Sequence, residues 1–275
     1  MFYARAVDNT MLVALNTLAS SQTKGTEKTK KAMNQLLDYA ATHPNAKIRY
    51  HRSKMKLHDH SDASHLSEPK SRSRAGGFMW LGDEPIPDPK APPPRINGAI
   101  HVVCQIIKSV TASAAESETA ALFINGQEAC PIRVCLEEMG WPQGATPITT
   151  DNSCAVGIAN DTVKQRRSKA IDMRYYWIRD RVHQGQFTIH WRKGGQNLAD
   201  YFTKHHPTSH HKQMRSKYLF TAALAAHCEG VLMRALSALS SKHASPACQK
   251  ADPARQHQLP FQQSFRAGSR PGRAL

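Results

Sequence analysis

The chain has 275 residues, a formal net charge of +16 and 40% hydrophobic residues. That is enough apolar material for one good core with appendages, which argues against a disordered polymer, and no run approaches the roughly 20 apolar residues of a membrane span. The acids gather in the middle: residues 1–56 carry ten Lys/Arg against three acids, residues 57–220 twenty against sixteen. Basic flanks around an acidic centre suit a protein that holds a polyanion while chelating cations.

In chain order, residues 9–20 and 26–41 read as two short amphipathic helices, with Met11, Leu15 and Leu18 on the first and Leu36 and Tyr39 on the second. Neither buries enough surface alone, so this segment must lean on another body, such as a domain outside this chain. Residues 56–63 and 75–81 read as strands, joined by a turn made of Ser67-Glu68-Pro69 and Arg72-Ser73-Arg74. Residues 82–97 hold six prolines in sixteen positions and can form only a loop. Residues 99–108, AIHVVCQIIK, form the best strand, β-branched and nearly all apolar.

Residues 113–140 read as helix, with Pro131 predicting a kink or break near Cys130. A strand at 146–151, a short helix at 153–160, a basic helix at 168–185, a half-buried strand at 187–191 and a last helix at 197–205 complete the pattern. Three strands followed by alternating helices and strands predict an α/β (α+β) fold with a mixed sheet. Beyond residue 207 the chain reads as a basic helical stretch that decays into a disordered tail.

Six cysteines (104, 130, 135, 154, 228 and 248) form no CxxC pair, and Met1 to Arg5 lacks the layout of a secretory signal. Reduced thiols in an intracellular protein, in a cytoplasmic particle or the nucleus, are therefore expected. Cys130 and Cys135 read as helix-spaced packing residues.

Four acids stand out by position. Asp62 and Asp151 fall at strand ends, Glu118 in the opening turns of the first long helix, and Asp200 in the last helix. Converging on one sheet edge, they would repel one another unless hard divalent cations joined them. Oxygen-only ligation selects Mg²⁺ or Mn²⁺, and two such ions about 3.5–4 Å apart suit phosphodiester displacement. Singly, each acid is as well explained as an ordinary surface carboxylate.

Several ordered stretches carry a resemblance: YARAVDNTMLVALNTLAS, HSDASHLSEPKSRSRAGG, SAAESETAALFINGQEA, TPITTDNSCAVGIAND, SKAIDMRYYWIRDRV and NLADYFTKHHP. Residues 1–220 resemble the C-terminal part of the Pol polyprotein of copia-type LTR retrotransposons. The resemblance implies a reverse transcriptase remnant over 1–56 and a ribonuclease H-like domain over 57–206 that cleaves the RNA strand of RNA–DNA hybrids. It puts the metal-binding carboxylates on Asp62 in SDA, Asp151 in TDN and Asp200 in LAD, and the helix ligand on Glu118, with Glu116 as the alternative. The loop from Arg192 to Asn197 lacks the His that many ribonucleases H carry before the last Asp, and no YxDD-type motif occurs, so polymerase activity is not expected.

Residues 164–193 hold nine Lys/Arg against two acids, with Tyr175, Tyr176 and Trp177 among them. Lys164, Arg166, Arg167 and Lys169 are the expected phosphate contacts, joined by Arg72 and Arg74 near the first turn. The aromatics read mainly as core. The histidines from His205 to His211 read as a helix exit rather than a zinc site, and His58, His60 and His65 as neighbours of Asp62 without catalytic duty. A catalytically inactive nucleic-acid-binding remnant of a truncated element is the competing reading.

Overall fold

The structure is a computed structural model and describes residues 2–85, 92, 94–162 and 174–220. The chain divides into two compact units, Met1–Cys228 and Glu229–Leu275, the second lying outside the described residues. Among the described residues no helix is long and apolar enough to cross a membrane.

The first unit is built on a five-stranded mixed sheet: β1 (Lys56–Glu68), β2 (Arg72–Gly82), β3 (Ala99–Ile106), β4 (Thr146–Thr150) and β5 (Phe187–Trp191), in the order β3-β2-β1-β4-β5. The first three strands run antiparallel, whereas β4 pairs parallel with β1 and β5 parallel with β4. This is the expected α/β class, an antiparallel start followed by alternating elements. Pro147 fits a central strand because the β1–β4 pairing begins only at Ile148, so its missing N–H falls outside that ladder.

Side chains alternate across β1, so both faces carry a core. On one face Leu57, Met79, Val103, Ile148 and Ile189 pack against α4 (Ala114–Glu138) and against Ile178 of α6 (Arg174–His183). On the other face Phe78, Trp80 and Val102 pack against Met11, Leu12 and Val13, and against Leu198, Tyr201, Phe202, Tyr218 and Leu219. The N-terminal helices α1 (Phe2–Ala6), α2 (Leu12–Ser20) and α3 (Glu27–Thr42) thus have a partner within this chain. Helix α2 leans on the sheet, and α3 packs on α2 and, through Tyr39, on His211 and Arg215 of α7 (Thr208–Tyr218).

Four local expectations are corrected. The break offered as one outcome of Pro131 does not occur: helix α4 runs on through it, since one missing donor in a helix of 25 residues removes a single bond from a ladder held by tertiary packing. The last helix is a five-residue 3-10 turn, Leu198–Phe202, and α7 follows it within the basic helical stretch expected beyond residue 207. Its polar sequence hides its anchor, the buried Tyr218 and Leu219 at its end. The turn between β1 and β2 is confined to Pro69–Ser71, with Lys70 and Ser71 in the left-handed region, because Glu68 already pairs with Arg72. Cys135 is exposed and not part of the core, whereas Cys130 lies partly buried against it. The Cys104, Cys130, Cys135 and Cys154 thiols are free, and α5 (Ser153–Ala159) starts as expected, capped by Asn152.

Candidate metal centre

Asp62, expected at a strand end, sits in the middle of β1 opposite Gly76, because the strand runs on to Glu68, and is buried. The close approach of the Leu198–Phe202 turn depends on that glycine: a Cβ at residue 76 would lie 2.5 Å from the Ala199 carbonyl oxygen. The turn therefore brings two polar side chains onto β1. Asn197 donates its amide to the Ser61 carbonyl at 2.8 Å, and the Thr203 hydroxyl lies 3.1 Å from Asp62 Oδ2.

Glu118 enters from the second turn of α4, whose N-terminus is capped by Ser113. Its Oε1 accepts from the Ala63 backbone N–H at 3.1 Å and its Oε2 from the Thr150 hydroxyl at 3.2 Å, so β1 and β4 both hold it. Glu116 instead turns back to accept the Ala112 N–H at 2.6 Å and serves the helix end. Asp151 follows β4 directly. Its backbone carbonyl accepts from the Trp191 indole at 2.8 Å, and a Cβ at Gly194 would lie 2.5 Å from its Oδ2, so a larger residue there would push the carboxylate aside.

Asp62, Glu118 and Asp151 each present a carboxylate oxygen, all within 4.8 Å of one another. Asp200 is brought to the edge of this group but not into it: its side chain is half-exposed and pairs with Lys204 at 2.5 Å. Burial raises the Asp62 carboxyl to about 7, helped by repulsion from Asp200 and Asp151, with Thr203 and Lys204 opposing. Glu118 is pushed up to about 9, again by burial first, then by Asp62 and Asp151. Asp151 is raised by burial and by Asp200. Three acids this close, two of them buried, are destabilising as anions unless a cation joins them. The donor set is oxygen only, which fits a hard divalent cation.

The basic residues divide differently. Arg74 is wholly buried, its Nε donating to Glu68 Oε1 at 2.7 Å, so it is closed off from any polyanion. Its expected role in nucleic-acid binding is corrected to that of a core ion pair. Alternation along β2 points Arg74 inward, a consequence of the strand starting at Arg72 and not after Arg74. Arg72, at the strand start, is half-buried. Lys164, Arg166, Arg167 and Lys169 lie outside the described residues. Trp177 packs edge-on to Phe123 in the core, while Tyr176 is exposed.

The histidines near Asp62 do structural work. His58 stacks on Trp80 and its Nε2 lies 2.8 Å from the Asp83 carbonyl. His60 accepts the Leu198 N–H at 3.1 Å, and burial lowers it to about 3, so it stays neutral. His206 stacks on Tyr201. Sequence reasoning missed Asn197, Thr203 and Lys204, although all three flank Asp200 within the NLADYFTK stretch already singled out.

Fold and site together define an α/β protein with a carboxylate cluster, on the two interior strands β1 and β4 of a mixed sheet, able to hold a divalent cation. Among known proteins, the chain is similar to the retrovirus-related Pol polyprotein from transposon TNT 1-94 of Nicotiana tabacum, with 30% identity over 148 residues, 54% of this chain and 10% of that protein. The chain therefore spans about a tenth of the length of this curated relative. No protein-family model matches it. Solved structures with a similar outline include LC11-RNase H1 isolated from compost (TM-score 0.40, 13% identity, 54% of this chain and 93% of that one). Another is the N-terminal RNase H domain of rv2228c from Mycobacterium tuberculosis (TM-score 0.37, 13% identity, 54% and 95%). At such scores and identities nothing about chemistry follows from these likenesses.

Proposed function

We propose that this chain carries a ribonuclease H of a copia-type retrotransposon Pol polyprotein, which hydrolyses the RNA strand of RNA–DNA hybrids with Mg²⁺ or Mn²⁺. Residues 57–206 are its catalytic segment, residues 1–56 the end of a reverse transcriptase, and its setting is intracellular. The observation that carries the reading is the convergence of Asp62, Glu118 and Asp151 from β1, α4 and the end of β4 to within 4.8 Å.

In this reading Asp62, Glu118 and Asp151 bind divalent ions and Asp200 completes the outer side of the cluster. Thr203 and Thr150 orient the carboxylates, and Asn197 holds the Asp200 turn to β1. Divalent ions, when bound, stabilise charge on the attacking and leaving oxygens of the phosphodiester. Lys164, Arg166, Arg167, Lys169 and Arg72 are proposed to position the phosphates of the hybrid.

The test is cleavage of a labelled RNA–DNA hybrid by the full chain. Cleavage that requires Mg²⁺ or Mn²⁺, stops in EDTA and falls at least a thousandfold in Asp62→Asn is expected. Equal cleavage in EDTA, or by Asp62→Asn, would sink the proposal.

A further inference from the structure

The four acids do not form one even ring. Asp62, Glu118 and Asp151 crowd together, whereas Asp200, near enough to repel Asp62 and Asp151, is paired with the Lys204 ammonium four residues on, 2.5 Å from its Oδ1. The Lys204 charge is felt beyond this pair, attracting Asp62 and Asp151 as well. The backbone around Lys204 is pinned on both sides. Thr203 is fully buried, its hydroxyl 2.8 Å from the Asp200 carbonyl and 3.1 Å from Asp62. His205 Nε2 lies 3.1 Å from the Thr17 hydroxyl of α2, and His206 stacks on Tyr201. The Lys204 stem therefore starts from a fixed point, and its half-exposed ammonium reaches the cluster from the solvent side.

We propose that Lys204 is a built-in cation on the Asp200 side of the cluster, which limits the substrate-free protein to one tightly held divalent ion. This rests on the metal-dependent reading above and refines it. An ammonium and a divalent ion compete for the same carboxylate, since both need its oxygens and repel each other. A first ion enters among Asp62, Glu118 and Asp151 without disturbing the Lys204–Asp200 pair. A second ion needs Asp200 and must displace Lys204. A substrate phosphate changes that balance twice over. It offers the ammonium another anion, within reach of its flexible four-carbon stem, and it brings oxygen ligands of its own to the second ion. Lys204 thereby couples the second ion to the arrival of a phosphodiester.

The coupling is read by calorimetric titration of Mn²⁺ into the full chain, without nucleic acid, for wild type, Lys204→Met and Lys204→Arg. Because Lys204 and Asp200 are both partly exposed, their pair adds little to folding and the variants are expected to melt as wild type does. The expected result is one tight ion for wild type and for Lys204→Arg. Lys204→Met should take a second ion at least tenfold more tightly than wild type does, about 1.4 kcal/mol. Two ions of similar affinity in wild type, or no change in Lys204→Met, would overturn the role of Lys204 while leaving metal-dependent cleavage intact. No Mn²⁺ binding by wild type, or binding undiminished in Asp62→Asn, would overturn the metal centre itself and this inference with it.

Discussion

The Thr203 hydroxyl lies 3.1 Å from Asp62 Oδ2 and 2.8 Å from the Asp200 carbonyl, joining the turn that carries Asp200 to the strand that carries Asp62. A partner of this kind sets the orientation of a metal-binding carboxylate. Thr203→Val keeps the shape and removes the hydroxyl, and is expected to weaken divalent-ion binding about tenfold. Calorimetric titration of the variant checks this, and an unchanged affinity would show that packing alone orients Asp62.

The pH dependence of stability follows from the same cluster. Asp62 at about 7 and Glu118 at about 9 both stand above their ordinary values of 3.8 and 4.5, chiefly through burial. The native state thus binds more protons than the unfolded chain, so their contribution is fully present below about pH 4 and is lost as pH rises through about 7 to 9. In EDTA the melting temperature is expected to fall between pH 6 and pH 9. Added Mg²⁺ should reverse the fall, with protons released on binding. A melting temperature in EDTA that stays flat over that range would contradict the assignment.

Asp59 is a weak point of the core. It lies on β1 between Met79 of β2 and Ile148 of β4, fully buried, and neither carboxylate oxygen has a hydrogen-bond partner. Burial alone pushes its carboxyl well above the usual range. Asp59→Val should stabilise the protein by about 1–3 kcal/mol, the cost of an unpaired buried polar group. Thermal melting at neutral pH reads the gain, and a lower melting temperature would show that Asp59 has a partner in solution.

Arg74 and Glu68 make the opposite case. Breaking this pair from one side, as in Glu68→Gln, leaves an uncompensated buried guanidinium and is expected to cost about 3 kcal/mol in urea unfolding. Replacing both, as Glu68→Gln with Arg74→Met, should recover most of that loss. Hybrid affinity of the folded double variant should match wild type, since Arg74 faces the core. A fall in affinity would restore Arg74 to the nucleic-acid surface.

Strand periodicity and turn chemistry made most elements legible, including β3 from its apolar run and the α4 start from Ser113. Errors came where distant groups decide the outcome. Pro131 reads as a breaker only if helix α4 stands alone. Arg74 reads as exposed unless the strand is known to begin at Arg72.

The kinds and order of the acids belong to the sequence: Asp151 follows a strand, and Glu118 and Asp200 lie in helical turns, local properties of chain pattern, whereas the expected strand end at Asp62 proves to be the middle of β1. Which of them share a cation is decided by packing. Gly76 lets the Leu198–Phe202 turn settle against β1, and α4 offers Glu118 rather than Glu116 to the sheet. Lys204 then claims Asp200, a choice set by separations of a few ångströms that local periodicity does not encode.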